Sequence, residues 1–124
     1  MAEVSLETYL VVLKALAELQ RLRIVCLLAH QPLCVCQIIA VLHLAPSTVS
    51  KHLSILQQAQ CVKSEKKGKW VYYHLVNAEE APPWRVALLE TLKHTVQGDA
   101  CLASDTQKLR EVLAIDPEVL CKRP

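Results

Sequence analysis

Between Leu33 and Leu53 the chain sets a short apolar helix, Ile38 to Leu42, just ahead of a second helix that opens Pro46-Ser47-Thr48-Val49-Ser50-Lys51-His52-Leu53. The first is short, as the positioning helix of a helix-turn-helix unit is. The second, from Pro46 to about Gln58, buries Val49, Leu53 and Leu56 and leaves Ser47, Thr48, Ser50, Lys51 and Ser54 polar around its first turns. Hydroxyls and a lysine at a helix N-terminus suit a reader of the major groove, because hydroxyls meet base edges or phosphates and the helix dipole favours anions; alone, they suit a solvated face equally well. Immediately upstream, Cys34-Val35-Cys36 leads into the positioning helix, which covers Cys36 to Leu42 and packs inward through Val35, Ile38, Ile39 and Leu42.

The residues that follow favour the DNA reading. Val62 to Lys66 and Lys69 to Val76 read as strands, with Val71, Tyr73 and Leu75 alternating with Trp70, Tyr72 and His74, and Lys67-Gly68 reads as the tight turn between them. A helix pair followed by a basic hairpin is a winged helix-turn-helix, mainly α with a small β-hairpin. Net charge is only +2, so affinity for DNA has to come from local cations, and Lys63, Lys66, Lys67 and Lys69 form such a cluster. The lysine-bearing tip can reach flanking phosphate or minor groove while the inner strand face closes the core.

At 124 residues the length suits one domain, and 52% hydrophobic residues with two Gly and no Phe predict a helix-rich fold whose surplus apolar surface meets a second copy. Ser5 caps a first helix carrying two apolar stripes, Leu6, Leu10, Leu13, Ala17 and Tyr9, Val12, Leu16, Leu19. One stripe faces the chain's own core and the other a neighbouring subunit; the alternative is a fully buried central helix. A second helix, about Gln20 to Ala29, places Leu22, Val25, Cys26 and Ala29 inward and Arg21 and Arg23 on its polar side, and Pro32 stops it. Beyond the hairpin, Glu79-Glu80-Ala81-Pro82-Pro83 links to a long helix marked by Trp84, Leu88, Leu92 and Val96, the second half of a homodimer interface. Gly98-Asp99 breaks that helix, a weak helix runs from Ser104 to Leu113, and Asp116-Pro117 opens a loose tail holding Cys121. Residues 1–98 are thus expected to form the DNA-binding and dimerisation domain and residues 99–124 a C-terminal extension.

No apolar run approaches the roughly 20 residues of a membrane span, and Met1-Ala2-Glu3 opens with an acid instead of a basic signal region, so the cytoplasm is the expected compartment. There six cysteines stay reduced, and metal binding, redox sensing or core packing take precedence over disulfides. No Ser-His-Asp order, P-loop or other catalytic motif is present and the five histidines are scattered, which argues against an enzyme.

Taken in order, Cys34-Val35-Cys36, Pro46 to Leu53 and Gly68-Lys69-Trp70-Val71-Tyr72-Tyr73 resemble the ArsR/SmtB family of bacterial winged-helix metal sensors, nearest to its arsenic-responsive repressors. The likeness covers most of the chain, including the Pro82-Pro83-Trp84 helix start and the Asp105-to-Leu109 segment. It implies a homodimer on a palindromic double-stranded operator, repression of arsenic-resistance genes, and release by As(III) or Sb(III). It assigns Cys34 and Cys36 to the metalloid, and Ser50, Lys51 and His52 match the family's Ser-Arg/Lys-His signature. Ile39 stands where the family often has a third Cys, and Ala45 stands at the frequent Ser cap, so the reading helix starts on Pro46 or Ser47.

The chemistry suits that assignment, because As(III) is soft and takes three ligands, soft thiolates select such ions, and a helix start raises the thiolate fraction. Residues two apart on a helix point about 200° from each other, so joint binding has to reorient the helix start and tilt the reader. The third ligand is open among Cys101, the favoured one, Cys121, Cys26, Cys61 and a water or hydroxide. Competing readings are two merely buried cysteines, a thiol redox repressor, and a Zn(II) or Cd(II) sensor, for which the long helix offers only His94.

Overall fold

Ser5 caps helix α1 (Leu6–Leu16), its Oγ accepting from the Thr8 N–H at 3.1 Å. The computed structural model describes residues 4–122, and Met1-Ala2-Glu3 lies outside the described residues. The helix expected to reach Leu19 ends at Leu16 because Arg21 stops it: its Nε donates to the Ala15 carbonyl at 2.6 Å and Nη2 to that of Lys14 at 3.4 Å. Glu18 is extended there and caps α2 (Leu19–Leu28), accepting from the Arg21 N–H at 2.9 Å. Leu19, read as part of a buried stripe, is consequently 61% exposed.

After α2 come β1 (Leu33–Cys34), α3 (Val35–Leu42), α4 (Pro46–Gln58), β2 (Val62–Lys67), β3 (Trp70–Leu75), α5 (Pro83–Thr95), α6 (Ala100–Leu113) and α7 (Pro117–Leu120). His43, in the left-handed region at φ 56°, closes α3, and the chain turns through 115° into α4, within the range of a helix-turn-helix. The three strands form an antiparallel sheet in the order β1-β3-β2. β1 was not visible in the sequence, being two residues long. Lys67 pairs with Trp70, so the hairpin loop is Gly68-Lys69, one residue later than the expected Lys67-Gly68. Gly68 supplies the positive φ, 63°, that a two-residue hairpin loop needs at its first position. The architecture is a winged helix-turn-helix.

Ile24, Leu27, Leu33, Ile38, Leu53 and Leu56 lie at 2% exposure or less, each contributing about 1.5–3 kcal/mol by burial. Leu109, Val112 and Leu120, all beyond residue 98, join the same core. α6 starts at Ala100, earlier than the expected Ser104, because Asp99 is its N-cap and accepts from the Leu102 N–H at 3.1 Å. Within the segment expected as a loose tail a short helix forms: Asp116 caps α7, Pro117 takes its first turn, and α7 packs on α3. Among the described residues no single helix is long and apolar enough to cross a membrane.

One ion pair fastens α6 to α2. Arg23 grips buried Asp105 with two parallel bonds, Nε–Oδ2 at 2.9 Å and Nη2–Oδ1 at 2.7 Å, and its Nη1 donates to Gln20 at 2.7 Å. Asp105→Ala leaves that guanidinium unpaired in a largely buried setting and is expected to lower the unfolding free energy by roughly 3 kcal/mol; urea titration followed by circular dichroism measures it, and a loss below about 1 kcal/mol would demote the pair to a surface contact. Cys61 is fully buried, and burial pushes its thiol up to about 11, so it stays protonated at neutral pH. At pH 8 iodoacetamide is expected to label exposed Cys101 rapidly and leave Cys61 unmodified until the chain unfolds, as followed by peptide mass spectrometry.

Candidate functional site: a thiol pair beside a helix-turn-helix

Ser47, Thr48, Ser50 and Lys51 are all exposed on the first turns of α4. Ala45 gives this helix no side-chain cap, as its identity predicts, so the N-terminal amides keep their positive end open toward whatever lies before them. His52 stands apart from these residues. It is half-buried with Nδ1 3.3 Å from Arg21 Nη1 and 3.9 Å from Glu18 Oε2, and since a guanidinium only donates, Nδ1 accepts. The same Arg21 that ends α1 therefore holds α4 in place.

On the wing Lys63, Lys66, Lys67 and Lys69 are exposed. Lys69 also pairs with Glu118 of α7 and lies 5.2 Å from the Trp70 ring centroid. The contact between wing and α7 was not legible in sequence, and Glu118 carried no signal for it.

Cys34 is 2% exposed and occupies two structural roles at once. Its backbone pairs with Tyr72 in β3, and it is the N-cap of α3, where its N–H donates to Oε1 of buried Gln37 at 3.0 Å. Gln37 thus braces the thiol turn, a role that the Cys-first helix start hides from sequence reading. Cys36 lies within the first turn of α3. It is half-buried and disulfide-bonded to Cys121, 85 residues away, with a Cα–Cα distance of 5.4 Å.

That bond corrects the expectation that all six cysteines stay free, because α7 lies against α3; Cys121 is the cysteine beside Cys36, and Cys101 is exposed at the start of α6. The Asp116-Pro117 pair, an N-cap followed by a first-turn proline, was the available signal for α7. Cys26 is half-buried on α2, and its thiol is pushed up by burial and then by Asp105 and Asp99.

Among the described residues no three His, Cys, Asp or Glu side chains are gathered as a ready cation site. What the α3 turn offers is sulfur: Cys34 and Cys36 in three residues and Cys121 against the second. Such a donor set fits a soft ion and does not fit Mg or Ca, which take oxygen.

Residues 19–64, from α2 into β2, match the family model of bacterial regulatory proteins of the arsR family. The chain is similar to the arsenic resistance transcriptional regulator ArsR1 of Pseudomonas putida, 35% identical over 103 residues that span 82% of this chain and 77% of that one. Its fold is similar to that of HlyU from Vibrio cholerae, with a TM-score of 0.62 at 31% identity over 72% of this chain and 91% of that one. It also resembles the homodimeric winged helix-turn-helix DNA-binding domain of Mb0332 from Mycobacterium bovis, with a TM-score of 0.64 at 24% identity over 81% and 94% of the two chains, a likeness of fold. With a winged helix-turn-helix in place and a relative of this identity matched over most of both lengths, the chain belongs to the ArsR family of DNA-binding transcriptional regulators.

Proposed function

We propose that this regulator is a metalloid-responsive repressor: it holds operator DNA as a homodimer and releases it when As(III) or Sb(III) is bound by Cys34 and Cys36. The observation that carries the reading is the double role of Cys34, a rung of the β1–β3 pairing and the N-cap of α3. Cys34 is the buried, extended N-cap and Cys36 lies in the first turn of α3 bonded to Cys121, so engaging both on one ion frees Cys36 and turns the backbone at Cys34. That turn moves α3, which seats α4, and β3, which carries the wing. Inverting occupancy from about 99:1 to 1:99 needs roughly 5.5 kcal/mol of differential affinity, within reach of several thiolate bonds.

In this reading Ser47, Thr48, Ser50 and Lys51 face the groove, His52 completes the signature while fixing α4 against Arg21, and Lys66, Lys67 and Lys69 reach phosphate from the wing. The homodimer rests on α1, whose Leu6, Leu10 and Leu13 are 89%, 48% and 40% exposed, a stripe too apolar for water on a monomer. Tyr9 meets Trp84 with ring centroids 5.4 Å apart, which joins α1 to α5 in one surface within residues 1–98. In the extension expected over residues 99–124, α6 and α7 buttress α3. The arsenic-resistance role of the Pseudomonas putida relative points to the same inducer.

A second reading, a thiol redox repressor, draws on the Cys36–Cys121 bond. The two part cleanly, since oxidant alone weakens operator binding in the redox case, whereas arsenite acts under reducing conditions in the metalloid case.

With a fluorescent operator duplex, Cys34→Ser and Cys36→Ser are expected to bind DNA like the unmodified chain and to stay bound when arsenite is added, because Ser offers a hard, protonated oxygen in place of a thiolate. Release of the double variant by arsenite under reductant overturns the assignment. Lys67→Ala is expected to weaken binding to many sequences alike and to lower the salt slope by about one unit; an unchanged slope in anisotropy titrations moves the wing away from DNA.

A further inference from the structure

We propose that Cys121 is the third thiolate of the metalloid site, delivered to Cys36 by α7, so that a trivalent soft ion is held by two sulfurs from the start of α3 and one from the end of α7. The inference rests on the reading that Cys34 and Cys36 bind the metalloid.

Cys121 lies close enough to Cys36 to be bonded to it, across 85 residues of sequence. Its position is built: Asp116 caps α7 by accepting from the Glu118 N–H at 2.8 Å, Leu120 is 6% exposed in the core, and α7 packs on α3. Glu118, on the same short helix, pairs with Lys69 of the wing. The position one turn after Cys36 holds Ile39, which packs on the core and has no donor, so α3 and its N-cap supply two sulfurs. The other cysteines are placed elsewhere. Cys61 is fully buried, Cys26 lies on α2 beside Asp105, and Cys101 is exposed at the head of α6.

Loading begins by breaking the Cys36–Cys121 bond. A phosphine reductant gives up two electrons and becomes its oxide with oxygen from water, while the two protons of that water appear on the two sulfurs. Three thiols then exchange with arsenous acid. Three As–O bonds break, three As–S bonds form, each thiol proton leaves with a hydroxide as water, and arsenic stays trivalent. Because α7 also holds Lys69, the third sulfur places the wing and α3 under one tether.

The test is arsenic K-edge X-ray absorption on the full chain, reduced with phosphine and loaded with arsenite, together with an affinity titration. The unmodified chain and Cys101→Ser are expected to show three As–S bonds, and Cys121→Ser two As–S bonds and one As–O bond. Cys121→Ser is also expected to bind at least about tenfold more weakly, since even the loss of outer partners costs a metal site that much. The sulfur count reads the ligand set whether or not α7 stays docked, and circular dichroism confirms that each variant folds. Three As–S bonds in Cys121→Ser, or the loss of one in Cys101→Ser, overturns the assignment of Cys121 and leaves the Cys34/Cys36 reading standing. An unmodified chain that binds no arsenite, or a Cys34→Ser, Cys36→Ser double variant with the full sulfur count, overturns that reading and this assignment with it.

Discussion

The two-residue strand Leu33–Cys34 is the point from which the helix pair and the wing are both measured. Leu33 is fully buried and pairs with Tyr73, Cys34 pairs with Tyr72, and α3 begins at the next residue. The wing and the helix pair are also joined through the core, through the link from α4 into β2 and through the Lys69–Glu118 pair to α7. Strand pairing fixes register in steps of one residue, and a slip of one reverses which side chains face inward. With Leu33 committed to the core, that register is set, and the wing keeps a defined position relative to α4.

α6 and α7 make this arrangement firm from behind. α6 packs on both α2 and α3, held by the Arg23–Asp105 pair and by Leu109 and Val112, and α7 adds Leu120 and the Cys36–Cys121 link. α3 is only eight residues long, too short to be stable by itself in water, so its position is a tertiary property. Arg21 performs the corresponding task on the opposite side: its guanidinium ends α1 and holds His52 of α4, while its backbone N–H donates to the Glu18 cap of α2.

Much of this was written locally. The start of α4 at Pro46 and its inward Val49, Leu53 and Leu56 follow from period and a first-turn proline, and the basic hairpin follows from alternation around a glycine. The fold class was legible for that reason. Features set by distant partners were not. α1 stops early because of a guanidinium from the next helix, β1 exists only because β3 lies beside it, and the partner of Cys36 stands 85 residues away. Gly98-Asp99 carried two messages, a break and an N-cap, and only the break was read. In the candidate site the close thiol pair and the exposed hydroxyls were evident, while the bracing by Gln37, the grip on His52 and the approach of Cys121 are long-range or side-chain geometry without a sequence signature.

The wing tip shows what a purely torsional requirement implies. A Cβ added at Gly68 would meet nothing within 4 Å, so glycine is needed there for its backbone angle alone, not for space. The tip therefore has its bend before any partner arrives. Contact with a surface then has to order only the lysine side chains, each at about 0.5–1.5 kcal/mol, and the backbone contributes almost nothing to that cost. A wing of this kind acts as a preformed probe, whose reach is decided by side-chain length and whose direction is decided by one dihedral.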